Sequence, residues 1–456
     1  MPETHRPLTT AALAAALAVS ATCAPAQDGP SVTISDARLA VTQLAVGAGA
    51  ALGALSQDAG EAIYLQSGAT TLDGLARAVA DTGTPEALTA EDGALVARLP
   101  LVVLQGAELA LEPGESLKLD RQSGSYLLSL GRVTIDGADV SATGAEHPDL
   151  PAFRPFIAGV GQASLSLSGS RFAGLGYGDA GATAGVFVSG RGLLSGGTSD
   201  PLRDNSFDGL YGVTLSGIDT AELTGNRFTG MRGSALSIAA TGPVTLRNNR
   251  FEDTGGAQAL HLSGGGGHLL SGNLLEGGRG KGLRIDDGAR DVTLEDNRVT
   301  GFGGSGVTLA EGAGCLLLRG NKVADNDGAG IRLREAGAFV LAGNEITGNA
   351  GPGIEVARQR PDTAGTVIGN RLAGNRRGVR GVGLARLHLA RNDMGGQMPR
   401  LLSGDLDQMT GAWLRDSRAD GASNLVVEGV AARFPAALRR DAADRAFDTC
   451  SQGGGA

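Results

Sequence analysis

From residue 200 onward, apolar positions recur in a pattern that is not helical. An Asn is preceded three places earlier by Leu (once by Val) and followed two places later by another apolar side chain. The asparagines are Asn205, Asn226, Asn249, Asn273, Asn297, Asn321, Asn344, Asn370 and Asn392, spaced 21 to 26 residues apart. Each repeat also holds a Gly-apolar-x-apolar-x segment, such as Gly282-Leu283-Arg284-Ile285-Asp286, Gly306-Val307-Thr308-Leu309-Ala310 and Gly330-Ile331-Arg332-Leu333-Arg334. Alternation with a period of two puts one face inward and the other outward. The pattern predicts an all-β fold, a right-handed parallel β-helix with coils of about two dozen residues and short capping helices. Val213, Leu236, Leu260, Leu283, Val307, Ile331 and Ile354 are expected to stack inward.

The asparagines are expected at bends, where each amide bonds the backbone and the Asn of the next coil, forming an internal ladder. Earlier coils are less regular. Leu101–Leu104, Leu109–Leu111, Leu117–Leu119, Leu127–Leu130 and Val133–Ile135 read as short strands. Leu72 to Asp81, after Thr70-Thr71, reads as an amphipathic helix covering the open N-terminal end. Pro435 to Phe447 is expected to cover the other end, with a disordered tail from Ser451. The expected division is a signal peptide at 1–26, an N-terminal capping region at 27–98, the β-helix at 99–430, and a C-terminal capping helix with its tail at 431–456.

Composition narrows the function. The chain has 75 Gly, 11 Phe, 4 Tyr and 1 Trp, so the core must be aliphatic and the turns many. A net charge of −9 argues against nonspecific nucleic-acid binding. His5 and Arg6, the apolar run Leu8 to Val19 and the box Ala24-Pro25-Ala26 read as a secretory signal, so a periplasmic location and no membrane span in the mature chain are expected. Cys23 is preceded by Val19-Ser20-Ala21-Thr22, a poor lipobox. Cys315 and Cys450 remain after cleavage, either as a disulfide or as two thiols. No Cys/His cluster has metal spacing, and no cofactor or metal site is read from the sequence. Asp325-Asn326-Asp327-Gly328 reads as a turn rather than a calcium loop. His147, His268 and His388 have no neighbours that suggest catalysis.

The outward column two places after each coil's Gly or Ala runs Phe187, Thr214, Ser237, His261, Arg284, Thr308, Arg332, Glu355 and Arg380. Asp286 and Arg334 lie two places further on. Strands stack about 4.8 Å apart, close to the repeat of a uronate polymer. Arg284, Arg332, Arg334 and Arg380, with Asp286 and Glu355, are candidate substrate-binding residues, because a guanidinium pairs with a carboxylate by forked hydrogen bonds. An ordinary solvated charge network among Arg284, Asp286, Asp287, Arg332, Arg334, Glu335 and Glu355 is the other reading. His261 is the group on this column that titrates near neutral pH. It is either a catalytic candidate or a solvated surface histidine.

A family resemblance rests on Phe153-Arg154-Pro155-Phe156, Leu175-Gly176-Tyr177, Gly185-Val186-Phe187-Val188-Ser189 and Leu210-Tyr211-Gly212, in that order. Similar features follow in Gly306-Val307-Thr308-Leu309 with Glu311, in Gly330-Ile331-Arg332-Leu333-Arg334, and in the stretch from Leu99 to Val140. These segments resemble the periplasmic mannuronan C5-epimerases of alginate biosynthesis. The resemblance implies a periplasmic protein of exopolysaccharide export that inverts C5 of uronates within a polymer. That chemistry takes a cation to neutralise the carboxylate, a base to remove the C5 proton and an acid to return one on the opposite face. The family's Asp-Pro-His-Asp motif is missing. Ser237 stands where its first Asp would be, Ala239 where its His would be, and Gly264 where an Arg of the next coil would be. His261 would then be a displaced base. The expected function is the handling of a nascent acidic exopolysaccharide, either by modification (C5 inversion or the related β-elimination) or by binding alone. The alternative is a non-catalytic binding or assembly module of an export system, with other periplasmic export proteins as partners. A third reading is an exported β-helix of unrelated purpose.

Overall fold

The computed structural model describes residues 29–38, 40, 60–178, 181–190, 197–198, 202–397, 399–420, 424–429 and 431–433. The signal-peptide segment, Cys23, Cys450 and the expected cap from Pro435 lie outside the described residues. The chain winds into a right-handed parallel β-solenoid of about 12 turns. Each regular coil gives one strand to each of three stacks. In one coil these are Leu236–Ala240, Val244–Arg247 and Arg250–Thr254; in the next they are Gln258–Gly264, Gly266–Ser271 and Leu274–Gly278. The first two stacks join through strands that bend from one to the other, including Gly212–Thr224 and Glu61–Thr71.

The inward stack of the first sheet runs in register as expected from the sequence. Val213 pairs with Leu236, then Leu260, Leu283, Val307, Ile331 and Ile354 follow one coil at a time. All seven are 3% exposed or less. In the third sheet, Phe172, Phe207, Phe228 and Phe251 stack with ring centroids 5.2, 4.9 and 4.6 Å apart. These rings supply the bulk that the aliphatic core otherwise lacks.

The asparagine ladder is continuous. Asn249 donates through Nδ2 to the Leu223 carbonyl at 2.9 Å and to Asn273 Oδ1 at 3.0 Å, and its backbone N–H shares that same oxygen at 3.0 Å. The arrangement repeats from Asn205 to Asn392. The residue just before each ladder Asn is left-handed, with φ from 52° to 70°. This is why Gly, Asp or Asn occupies that place in every coil but the last, where Arg391 takes it. A second ladder, Asn326, Asn349, Asn375 and Gln397, stands at the opposite bend of the third sheet. Its signal was the spacing of five between Asn321 and Asn326, repeated at Asn344 and Asn349 and at Asn370 and Asn375.

Both ends are closed. The helix Leu72–Asp81 begins where Thr71 Oγ1 accepts a hydrogen bond from the Gly74 amide at 3.2 Å, and it buries Leu72, Leu75 and Val79 on the core. The strand Ser31–Asp36 pairs antiparallel with Glu61–Thr71 beside it. At the far end Trp413, on the helix Thr410–Asp420, is buried, and Asn424–Glu428 pairs antiparallel with Arg386–Ala390. Antiparallel pairing at an end stops the parallel stack from recruiting another chain.

Candidate functional site

The outward face of the first sheet divides into two parts. Toward the N-terminus it is covered. Phe187 is 2% exposed and packs with Tyr64, Val102, Tyr126, Leu128, Phe153 and Phe156 in a second apolar cluster outside the solenoid. Tyr126 stacks on Phe156 at 4.9 Å, and Phe153 meets Tyr177 at 5.3 Å. Burial pushes the Tyr177 hydroxyl up to about 12. Phe187 therefore does not belong to an open column, because the segment carrying Phe153 and Phe156 folds back over it. Arg121 fastens that segment through the Phe153 carbonyl at 2.7 Å, and the Gly176 amide holds the Pro155 carbonyl at 2.7 Å. Arg232 donates to the carbonyls of Gly209 and Leu175, both at 2.9 Å, and burial brings its guanidinium down to about 10. Phe153 and Phe156, with Tyr177 against them, are thus part of a structural cover, whereas Gly185–Ser189 is a strand of the first sheet and Phe172, Phe207 and Leu210 lie in the main core.

Beyond Thr214 the face carries Ser237, His261, Arg284, Thr308, Arg332, Glu355 and Arg380 in unbroken register. These residues share one line because each follows an inward apolar residue by one place. Bonds across the coils then tie them together. His261 Nε2 lies 2.8 Å from Asp286 Oδ1, and Arg284 holds the other oxygen of that carboxylate. The second arm of Arg284 reaches both oxygens of Glu311 at 3.2 Å. Arg332 Nε meets Glu355 Oε2 at 2.7 Å, while Arg380 takes Oε1 of the same carboxylate. Arg334 is the outlier. It is half exposed and its nearest carboxylate is Glu335, at 3.8 Å.

Two of the residues read from sequence as substrate ligands take other positions. Asp286 is 2% exposed and both its oxygens are engaged, so it orients His261 and Arg284 rather than meeting solvent. Burial alone would raise its pKa, but the hydrogen bonds from His261 and Arg284 outweigh burial and hold it below the ordinary aspartate value. Glu355, 7% exposed, bridges Arg332 and Arg380. The charge network expected as one reading of this face is therefore present. His261 is not a solvated surface histidine. With Nε2–H donated to the Asp286 carboxylate, the lone pair falls on Nδ1, and no hydrogen bond to Nδ1 is present among the described residues.

Lys281 was not singled out in the sequence. It lies three places before Arg284, at the start of the strand Lys281–Asp286, on the parity of the inward residues Leu283 and Ile285, and so the outward alternation passes over it. Its only signal was a cation between two glycines, Gly280 and Gly282. Burial, then Arg284 and Arg332, depress its pKa, against the opposing pull of Asp286 and Glu311.

Among the described residues, no group of three or more His, Cys, Asp or Glu side chains is placed to hold a metal ion, and no helix is long and apolar enough to cross a membrane. Cys315 is disulfide-bonded.

The structure defines a parallel β-solenoid whose first sheet turns a charged face outward beyond Thr214; the third sheet carries a second exposed column of ion pairs, including Arg171, Arg250, Arg298 and Arg371. Its fold is that of the periplasmic alginate epimerase AlgG. The two superpose with a TM-score of 0.63 at 16% identity, over 88% of this chain and 98% of that one. A variant of the same enzyme gives 0.64 at 18% identity with the same coverage. In sequence, 125 residues are 32% identical to the mannuronan C5-epimerase of Pseudomonas aeruginosa, covering 26% of this chain and 22% of that protein. The chain's match therefore spans about a fifth of that curated relative. Residues 203–388, less than half of the chain, match the family described as periplasmic copper-binding protein NosD. Two of the three histidines in that stretch already have ring nitrogens engaged. His268 uses both ring nitrogens on backbone groups, and His261 is held by Asp286.

Proposed function

We propose that this protein handles an acidic, uronate-containing exopolysaccharide in the periplasm, with the polymer lying along the face from His261 to Arg380. The observation that carries this reading is the unbroken outward column, in which Arg284, Arg332 and Arg380 recur at every second coil, about 10 Å apart, on a solenoid that shares the fold of an alginate epimerase. The arginines are held in place by buried or half-buried carboxylates, so little side-chain entropy is lost when a polymer carboxylate arrives. Each contact is partly exposed, so affinity grows from several modest pairings and is weakened by salt. The test is calorimetry with polymannuronate against a neutral glucan at low salt. Binding of the uronate polymer alone is expected, falling as salt rises. Equal binding of the glucan, or no binding of either, overturns the reading.

A second reading, modification of the polymer, is favoured by the His261–Asp286 pair. A histidine whose Nε2–H is fixed by an ionised carboxylate presents Nδ1 as a base. Over a bound uronate, Nδ1 would take the C5 proton. Return of a proton to the other face completes C5 inversion, whereas loss of the 4-substituent instead gives β-elimination. The readout is deuterium entering C5 in heavy water. Exchange that disappears in His261→Ala supports this reading, whereas no exchange in the parent leaves binding alone.

A further inference from the structure

The outward face of the second sheet carries an apolar patch that water does not reach. On the strand Gly314–Arg319, Leu316 and Leu318 point into the core, so Leu317 points out. Its register partner on the next coil is Val340. In the neighbouring column Ala342, Ile368 and Ala390 stand one above another. Leu317, Val340, Ile368 and Ala390 are 6% exposed or less, and they form a cluster separate from the core. Their column neighbours Thr293 and Thr366 are too short to hide them. An outward leucine or valine on a sheet is buried only where something lies over it, and no apolar side chain of another described element joins this cluster.

Three observations identify what lies there. Cys315, two places before Leu317 on the same strand, is disulfide-bonded. The other cysteines of the chain are Cys23, within the expected signal peptide, and Cys450. The sequence leading to Cys450 is amphipathic. Wound as a helix, it puts Leu438, Ala442, Ala443, Ala446, Phe447 and Cys450 on one side and Arg440, Asp441, Asp444, Arg445 and Asp448 on the other, with Pro435 in the first turn. The length also fits. The strand Ala431–Arg433 lies five strand steps from Gly314–Arg319 in the second sheet, about 24 Å. The 17 residues from Arg433 to Cys450 span about 25 Å as a helix, at about 1.5 Å per residue.

We propose that the segment from Phe434 to Cys450 lies as an amphipathic helix on the outer face of the second sheet, covering Leu317, Val340 and Ile368, and that a Cys315–Cys450 disulfide clamps it there. The segment runs back over the coils rather than closing the solenoid's end, which the helix Thr410–Asp420 and the strand Asn424–Glu428 already close. Formation of the bond takes two electrons and two protons from the two thiols. An oxidised dithiol protein of the exported compartment accepts them by disulfide exchange. Reduction returns them, frees the segment and opens the apolar patch. The charged column lies on the first sheet, so the clamp leaves it uncovered.

Tryptic digestion of the full chain, with free thiols blocked and no reductant, should yield the peptide Val299–Arg319 joined to Ala446–Ala456. A blocked Cys450, or Cys315 joined to Cys23 or to a second chain, overturns the clamp. Docking is read by hydrogen exchange. The amides of residues 438–447 should be protected in the parent. Leu438→Asp, which lies outside every coil, should lose that protection while the central coils keep theirs. Val340→Asp should do the same, because it sets a carboxylate under the apolar side of the segment. Should the segment be unprotected in the parent, or stay protected in either variant, it does not lie on this face. Reductant should lower the melting temperature of the parent and leave that of Cys450→Ser unchanged. An equal response of the two would again overturn the clamp.

Discussion

Two columns run along this solenoid with the same rise per coil, one inside and one outside. The inner column is the asparagine ladder, in which the amide N–H groups and carbonyl oxygens are shared between neighbours, and Asn226, Asn249 and Asn370 are each 1% exposed. The outer column, from Thr214 to Arg380, changes residue type at nearly every coil and leaves the buried Thr308 hydroxyl without a partner. Repetition serves stability, because an identical group one coil away is the partner each amide needs. A binding or reacting site needs unlike groups side by side, so it appears as a break in repetition on a frame that otherwise repeats.

The largest break in the inner order should come from Phe228→Ala. Its ring lies 4.9 Å from Phe207 and 4.6 Å from Phe251, and removing it opens a cavity that rigid flanking coils cannot collapse around. A loss of about 3–5 kcal/mol is expected in urea unfolding. Asn273→Ala should cost less, about 1–3 kcal/mol, because it strands the Asn249 amide groups and the Leu246 carbonyl without removing much volume. Arg332→Ala, on the outer column at 40% side-chain exposure, should shift stability by no more than about 1 kcal/mol. If Arg332→Ala proved as destabilising as Asn273→Ala, the division between a structural interior and a spare exterior would be wrong.

That division also explains what the sequence made legible. The inward stack, the ladder, the Thr71-capped helix and the order of the outer column all follow from local rules of period two or of one coil, and each stands where the pattern put it. The contacts that decide the site do not. Whether Asp286 faced solvent or folded under His261 depends on a side chain crossing between coils, which alternation cannot report. Phe187 looked outward by the same alternation, but a segment some thirty residues earlier covers it. Lys281 was missed because it shares the parity of the inward residues Leu283 and Ile285. The residues that most resembled a known family, around Phe153, belong to the cover rather than to the charged face.

The smallest expected effect sharpens the comparison, because it asks what happens when the inner order admits a titratable group. His268 occupies an inward position of the second sheet, in register with Val292. It is 1% exposed. Its Nδ1 accepts from the Val244 amide at 3.2 Å, and its Nε2 donates to the Gly264 carbonyl at 2.9 Å. This fixes the neutral tautomer, since protonating Nδ1 would break the Val244 bond. Burial lowers the His268 pKa, and the carbonyls of Gly264 and Gly265, with Asp291, only partly oppose it. In the unfolded chain the same histidine titrates near its ordinary value of about 6.5. Above that pH both states are neutral and the contribution to stability is complete. As pH falls below it, the unfolded chain takes up a proton that the folded chain refuses, so stability declines until the folded pKa is passed. Urea unfolding at pH 7.5 and 5.5 should show the parent losing more stability than His268→Val, a change that copies the aliphatic residue of the next coil at the same position. The variant leaves the Val244 amide unpaired and so starts lower at pH 7.5, with the gap narrowing in acid. A gap that stayed constant between the two pH values would show that His268 is protonated alike in both states, and the neutral, twofold-bonded role assigned to it here would be incorrect.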